Sequence, residues 1–133
     1  MDFVMNEFKT LPAGTARVVF RIVNAGPQQS ARMGVALFEQ IPPGDFQPVT
    51  SGEVDNLPMT PAASKFEFTP RAGASYVITF SGEMHSLSTA NVPLQLELAV
   101  TAEPSGAIVE NFNGSRSVDQ RACSLAGRAL LRA

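Results

Sequence analysis

The sequence predicts an all-β fold: one antiparallel β-sandwich or jelly roll of about seven to nine short strands. Three observations carry this. Apolar and polar residues alternate with period two in six separate segments. Turn-forming residues interrupt them every roughly 8–12 residues. Charged residues are only 17%, while ten glycines and ten prolines punctuate the chain. At 133 residues the chain fits a single domain, 1–133, burying roughly two-thirds of its unfolded surface without needing a metal or disulfide.

Taken in order, residues 1–12 hold apolar Phe3, Met5 and Phe8. They read as an extra edge strand or as an N-terminal arm lying on a neighbouring subunit. In 16–24, Val18, Phe20 and Ile22 share one face, with Arg17, Val19 and Arg21 opposite. Residues 24–30 are a turn by composition. In 33–41, Met33, Val35, Leu37 and Ile41 face one way, and Gly34, Ala36 and Phe38 the other. Two apolar faces indicate a central strand or one covered by a partner.

From 42 to 63 the chain holds Pro42, Pro43, Pro48, Pro58 and Pro61. Proline cannot donate to a ladder, so this reads as a long connection with at most an edge strand near 46–50. Alternation resumes with Phe66 and Phe68, then Tyr76, Ile78 and Phe80 after a Pro70–Gly73 turn. Leu94, Leu96, Leu98 and Val100 mark the clearest strand. A hairpin is expected at 108–112 with an Asn113–Gly114 turn.

The C-terminal segment fits two patterns. As a short helix it shows an Ala122, Leu125, Ala126, Ala129, Leu130, Ala133 stripe, with Ser117 and Gln120 as a capping box. As a strand, Cys123, Leu125, Gly127, Ala129 and Leu131 alternate with Ser124, Ala126, Arg128, Leu130 and Arg132. Gly127 would cost a helix about 1 kcal/mol relative to Ala, and strands elsewhere favour one more, so strand is preferred.

Little in the sequence points to chemistry. His85 is the one histidine; with Glu83 it could supply two metal ligands, but zinc needs three or four. A Ser–His–Asp arrangement could use only His85 as base, and the G-x-S-x-G elbow is absent. Asp45, Glu53 and Asp55 are a weak calcium hint and read as solvated loop acids. No phosphate loop, dinucleotide fingerprint or zinc motif occurs, so no cofactor or metal is expected. The net charge of −2 gives no global pull toward nucleic acid or an anionic membrane. Cys123 is alone and reads as a small core residue. The N-terminus lacks a basic segment and an apolar run, so synthesis in the cytoplasm is expected. From 111 onward there are four arginines, Arg116, Arg121, Arg128 and Arg132, against one acid, Asp119.

Residues 17–40, RVVFRIVNAGPQQSARMGVALFEQ, resemble the opening strands of immunoglobulin-like adhesion modules. Residues 66–82, FEFTPRAGASYVITFSG, resemble the strand–Pro–Gly–x–Tyr–strand segment of tumour necrosis factor-like jelly rolls, which recurs in phage fibre and capsid-decoration proteins. In such a jelly roll further strands follow the segment that 123–133 resembles. Neither resemblance carries over a functional residue. Together these observations point to a non-catalytic structural or interaction protein, a virion component of head-decoration or fibre type. Its expected partners are copies of itself, as a homo-oligomer, and a capsid or other assembly protein. The candidate contact residues are Arg116, Arg121, Arg128, Arg132, Phe46, Phe3 and Phe8. The alternatives are an extracellular adhesion or carbohydrate-binding module, and a small hydrolase using His85.

Overall fold

In a computed structural model, which describes residues 1–26, 28–56, 65–89, 92–117 and 121–133, the alternating segments become strands of two packed sheets. The strands are β1 (Asp2–Val4), β2 (Lys9–Thr10), β3 (Arg17–Ala25), β4 (Gln29–Gln40), β5 (Gln47–Asp55), β6 (Lys65–Phe68), β7 (Ser75–Ser86), β8 (Leu94–Glu103), β9 (Ala107–Arg116) and β10 (Ala122–Arg132). One sheet runs β1-β10-β7-β4-β5, with β2 also on β10; the other runs β6-β3-β8-β9. No helix occurs among the described residues, and 122–132 is a strand, as its alternation indicates.

The order follows from burying one face of each strand. Val18 and Phe20, Met33, Val35 and Leu37, Tyr76, Ile78 and Phe80, Leu94, Leu96, Leu98 and Val100, and Leu125, Ala129 and Leu131 form one core. Taken from β5, the strands run β5 to β10 and then β3 and β4 in jelly-roll order. β3 and β4 occupy the places that a jelly roll fills with strands following a segment like β10. Strands from the beginning of this chain do the work expected of later ones.

Several expectations are corrected. Residues 42–63 are not one connection, because 47–55 form β5, longer than the predicted edge strand. Pro48 is tolerated there because β5 is a sheet edge and Pro48 lies beside the register shift at Leu37/Phe38. Pro58 and Pro61 lie outside the described residues. Ile41 follows the end of β4 and is half exposed, so it does not join Met33, Val35 and Leu37. Asn113 and Gly114 are not a turn; they pair with Glu97 and Leu96 inside β9. The turn is at 103–106, where Gly106 has φ +75° and donates to the Ala102 carbonyl at 2.8 Å. Gly114 serves packing instead, since a Cβ there would stand 2.8 Å from the Phe3 ring.

The N-terminal residues form the edge strand, not an arm on a neighbour. β1 runs parallel to β10 with Phe3 opposite Gly127. Met1, Phe3, Met5 and Leu11 are buried, and Phe3 meets the Phe80 and Phe112 rings at 6.3 and 5.9 Å. Two strand approaches admit only glycine. A Cβ on Gly127 would fall 2.2 Å from the Phe3 carbonyl oxygen, and one on Gly82 would fall 1.8 Å from that of Arg32. Gly34 differs, with only the Ser81 carbonyl oxygen near, at 3.9 Å.

Tyr76 is buried beside Phe68. Its hydroxyl donates to Glu39 and accepts from the Arg71 backbone N–H, both at 2.7 Å. Burial, with help from the Glu39 carboxylate, pushes the phenol up to about 12.

Two predictions follow from this packing. Gly82→Ala and Gly127→Ala should each lower stability by about 2–3 kcal/mol in urea denaturation, while Gly34→Ala should be neutral or stabilise by up to about 1 kcal/mol; equal losses at all three would contradict the geometry. Tyr76 is the one tyrosine, so an ultraviolet titration reads it alone. The folded phenol should titrate near 12, above its ordinary value of 10.0. Between these values the unfolded chain loses its proton first, so stability should fall as pH rises from about 10 to 12. Tyr76→Phe should flatten that part of the curve.

Candidate functional site

Odd residues of β7 and even residues of β4 and β10 point away from the core, so the outer face of the larger sheet can be read row by row from the register. Its middle is a shallow trough of about 450 Å³ lined by small residues, among them Gly34, Ala36, Ser51, Thr79 and Ser81. Ala126 continues this stretch on β10, opposite Ser81.

One end of the trough opens into a hollow of about 450 Å³ lined by Ser30, Arg32, Gly34, Glu53, Glu83 and His85. Arg32 pairs with Glu53 at 3.0 Å, and that hydrogen bond raises the pKa of the guanidinium above its ordinary value. His85 Nε2 lies 3.0 Å from Glu83 Oε2. Both side chains are well exposed, at 49% and 71% respectively. Adjacent positions on β7 alternate sides of the sheet, which places Glu83 and His85 together, as the sequence suggests. Ser30 is the register partner of His85, but its hydroxyl makes no hydrogen bond to the ring. No group of three or more His, Cys, Asp or Glu able to hold a metal occurs among the described residues. Asp45 is exposed, whereas Asp55 is buried at the end of β5. Cys123 points to the other side of β10 and packs, half buried, against the core.

The opposite end is aromatic and basic. Phe38, Val77 and Leu130 lie in one row across β4, β7 and β10. Beyond them Phe8 and Phe46 stack, centroids 6.4 Å apart and planes 17° from parallel. The Arg132 guanidinium sits 5.1 Å over the Phe8 ring. Three residues singled out from separate parts of the sequence therefore meet at one place.

The remaining candidates divide. Arg128 is exposed on the same face and its Nε donates to the Met5 carbonyl at 3.2 Å. Arg121 donates to the Ser88 and Thr89 carbonyls at 2.8 and 3.2 Å, tying β10 to the end of β7. Arg116 is exposed at the end of β9, in the smaller sheet; Asp119 lies outside the described residues. Phe3 is 4% exposed and is a core residue, not a surface contact. The C-terminal arginines thus do not form one docking edge: Arg121 and Arg128 fasten neighbouring backbone, Arg132 lies over the Phe8 ring, and Arg116 is exposed on the other sheet. What the sequence reading missed is the trough itself, since it needs the register of strands far apart in the chain.

No protein-family model, curated protein or solved structure matches this chain.

The aromatic end yields a graded prediction. Phe8 is half buried against the core and Phe46 is 36% exposed. Phe8→Ala should lower stability by about 1–2 kcal/mol, below the loss for a fully buried phenylalanine, and Arg132→Ala by about 0.5–1 kcal/mol. Phe46→Ala should cost less than Phe8→Ala. Thermal denaturation of the three variants gives the order, and a larger loss at Phe46 would place the main anchor elsewhere.

Proposed function

We propose that this chain is a non-catalytic structural protein of a larger assembly, a virion component of head-decoration or fibre type, acting through the outer face of its larger sheet. One contrast supports the reading. The outer face of the smaller sheet carries solvated ion pairs, with Arg17 and Lys65 on Glu67. The outer face of the larger sheet carries small, neutral residues over its middle rows, at Gly34, Ala36, Ser51, Thr79, Ser81 and Ala126, with one charge at the margin of each row, Glu53 on β5 and Arg128 on β10. Such a face loses little on leaving water, because few charges must be desolvated, and interface cores are depleted of charge in the same way.

Gly34→Arg tests this. The added Cβ makes only an ordinary contact, 3.9 Å from the Ser81 carbonyl oxygen, so the fold should be retained while the trough is blocked. In the cells that make it, the natural chain should co-sediment with large particles on a density gradient. The variant should stay with small free proteins at unchanged thermal stability. Free sedimentation of both forms would overturn the reading. Saturable binding on a glycan array, abolished by Gly34→Arg, would put the carbohydrate-binding alternative in its place.

A further inference from the structure

We infer that the outer face of the larger sheet pairs with the same face of a second copy around a two-fold axis, an inference that rests on the docking role proposed above and names its partner. The face is polar along its length in both shape and charge. At one end is the hollow lined by Glu53 and Glu83; at the other stand the Phe8–Phe46 stack and the guanidinium of Arg132, with Arg128 at the β10 end of the trough's Thr79–Ala36 row. Glu83 and Arg128 are separated along the sheet by the four-residue step from Glu83 to Thr79, since Thr79 is the register partner of Arg128. That is roughly 13 Å at the usual rise per residue.

A two-fold interface brings each patch onto its partner's complement only if the surface is self-complementary. Here an axis running across the strands through the trough reverses the rows and keeps each strand above its own copy. The row of Glu83 then lies over the row of Thr79 and Arg128, so Glu83 of each copy lies over Thr79 of the other, offset sideways from that copy's Arg128 by one strand spacing, roughly 4.8 Å, within reach of the long arginine side chain. The aromatic end with its cation approaches the hollow with its carboxylates, a protrusion into a recess and plus onto minus. Ala126, Ser81 and Gly34 on the axis let the two sheets approach closely there, while Glu53, at the β5 end of the same row, lies over its own copy with its charge met by Arg32. An axis along the strands would instead keep each row over itself, so the row of Glu83 would not meet the row of Arg128. Arg32 does not cancel the acidic end, because it is already paired with Glu53, leaving Glu83, which is hydrogen-bonded to His85, without an arginine partner.

Analytical ultracentrifugation of the purified chain over a range of concentrations and salt tests this. The natural chain should sediment as a dimer whose association weakens as salt rises. Glu83→Arg and Arg128→Glu should each weaken self-association by about tenfold or more, and the double exchange should recover most of it. Thermal stability separates this from misfolding, since Arg128 also holds the Met5 carbonyl; Gly34→Arg, with no such contact, should give a folded monomer. A natural chain that is monomeric throughout overturns the inference. So does a dimer indifferent to both Gly34→Arg and Glu83→Arg, or single losses that the double exchange leaves unrepaired. Failure here is distinct from failure of the docking role: a monomer that still co-sediments with particles, and loses this with Gly34→Arg, removes the two-fold pairing and keeps the role.

Discussion

The rest of the structure depends on how β1 is seated against β10. Gly127 lets the Phe3 backbone approach where any side chain would collide with it, and Gly114 leaves room for the Phe3 ring on the opposing sheet. Phe3 can then complete an aromatic cluster with Phe80, Phe112 and, through Phe80 at 4.8 Å, Phe20. Four phenylalanines from both sheets thereby close one flank of the sandwich. Their burial is the hydrophobic return on ordering the first residues of the chain. The polar contacts follow from that seat. Arg128 and the Met5 backbone, Leu11 and the Arg132 carbonyl, and Lys9 with Glu110 at 2.7 Å all fasten a segment that Phe3 has already placed.

At the other end of the molecule a polar clasp does a similar task. Gln29 is buried; its amide donates to the Pro93 carbonyl at 2.7 Å and accepts from the Gln95 N–H at 2.9 Å. It thus joins β4 of one sheet to β8 of the other. Asn56 completes the neighbouring backbone, accepting from Ala31 N–H and donating to the Gln29 carbonyl. Amides are tolerated there because both ends are satisfied, and they tie the start of β4 to its neighbours.

The strands were legible because a face that must be buried writes its period into the sequence. Leu94 to Val100 and Tyr76 to Phe80 needed nothing but alternation. Positions where glycine or proline has a tertiary reason were not legible. Asn113–Gly114 looks like a hairpin turn because local turn chemistry is the usual cause of that pair, whereas Gly114 answers to Phe3 over a hundred residues away. Pro48 looks like a strand breaker, yet it stands on an edge where its missing N–H is not needed. The site shows the same division. Glu83 and His85 are neighbours by alternation and could be paired from sequence. Phe8, Phe46 and Arg132 meet only because β10 lies beside β1 and β2 and because the β4–β5 connection turns toward them, a fact of topology.

The edges of the sandwich explain why the face, and not a strand edge, is left for association. An unpaired edge invites a further strand. Here β1 and β2 are very short, and so is β6. β9 has Glu110 engaged by Lys9 from the opposite sheet. β5 is also a long edge, and it carries Pro48, a register shift beside it and the charged Glu53, each of which discourages an added strand. The edges are thus blunted by length, charge or proline, while the centre of the large outer face, at Gly34, Ala36, Thr79 and Ser81, is small and neutral. A surface that resists pairing at its margins and carries little charge at its centre directs association toward face-to-face packing.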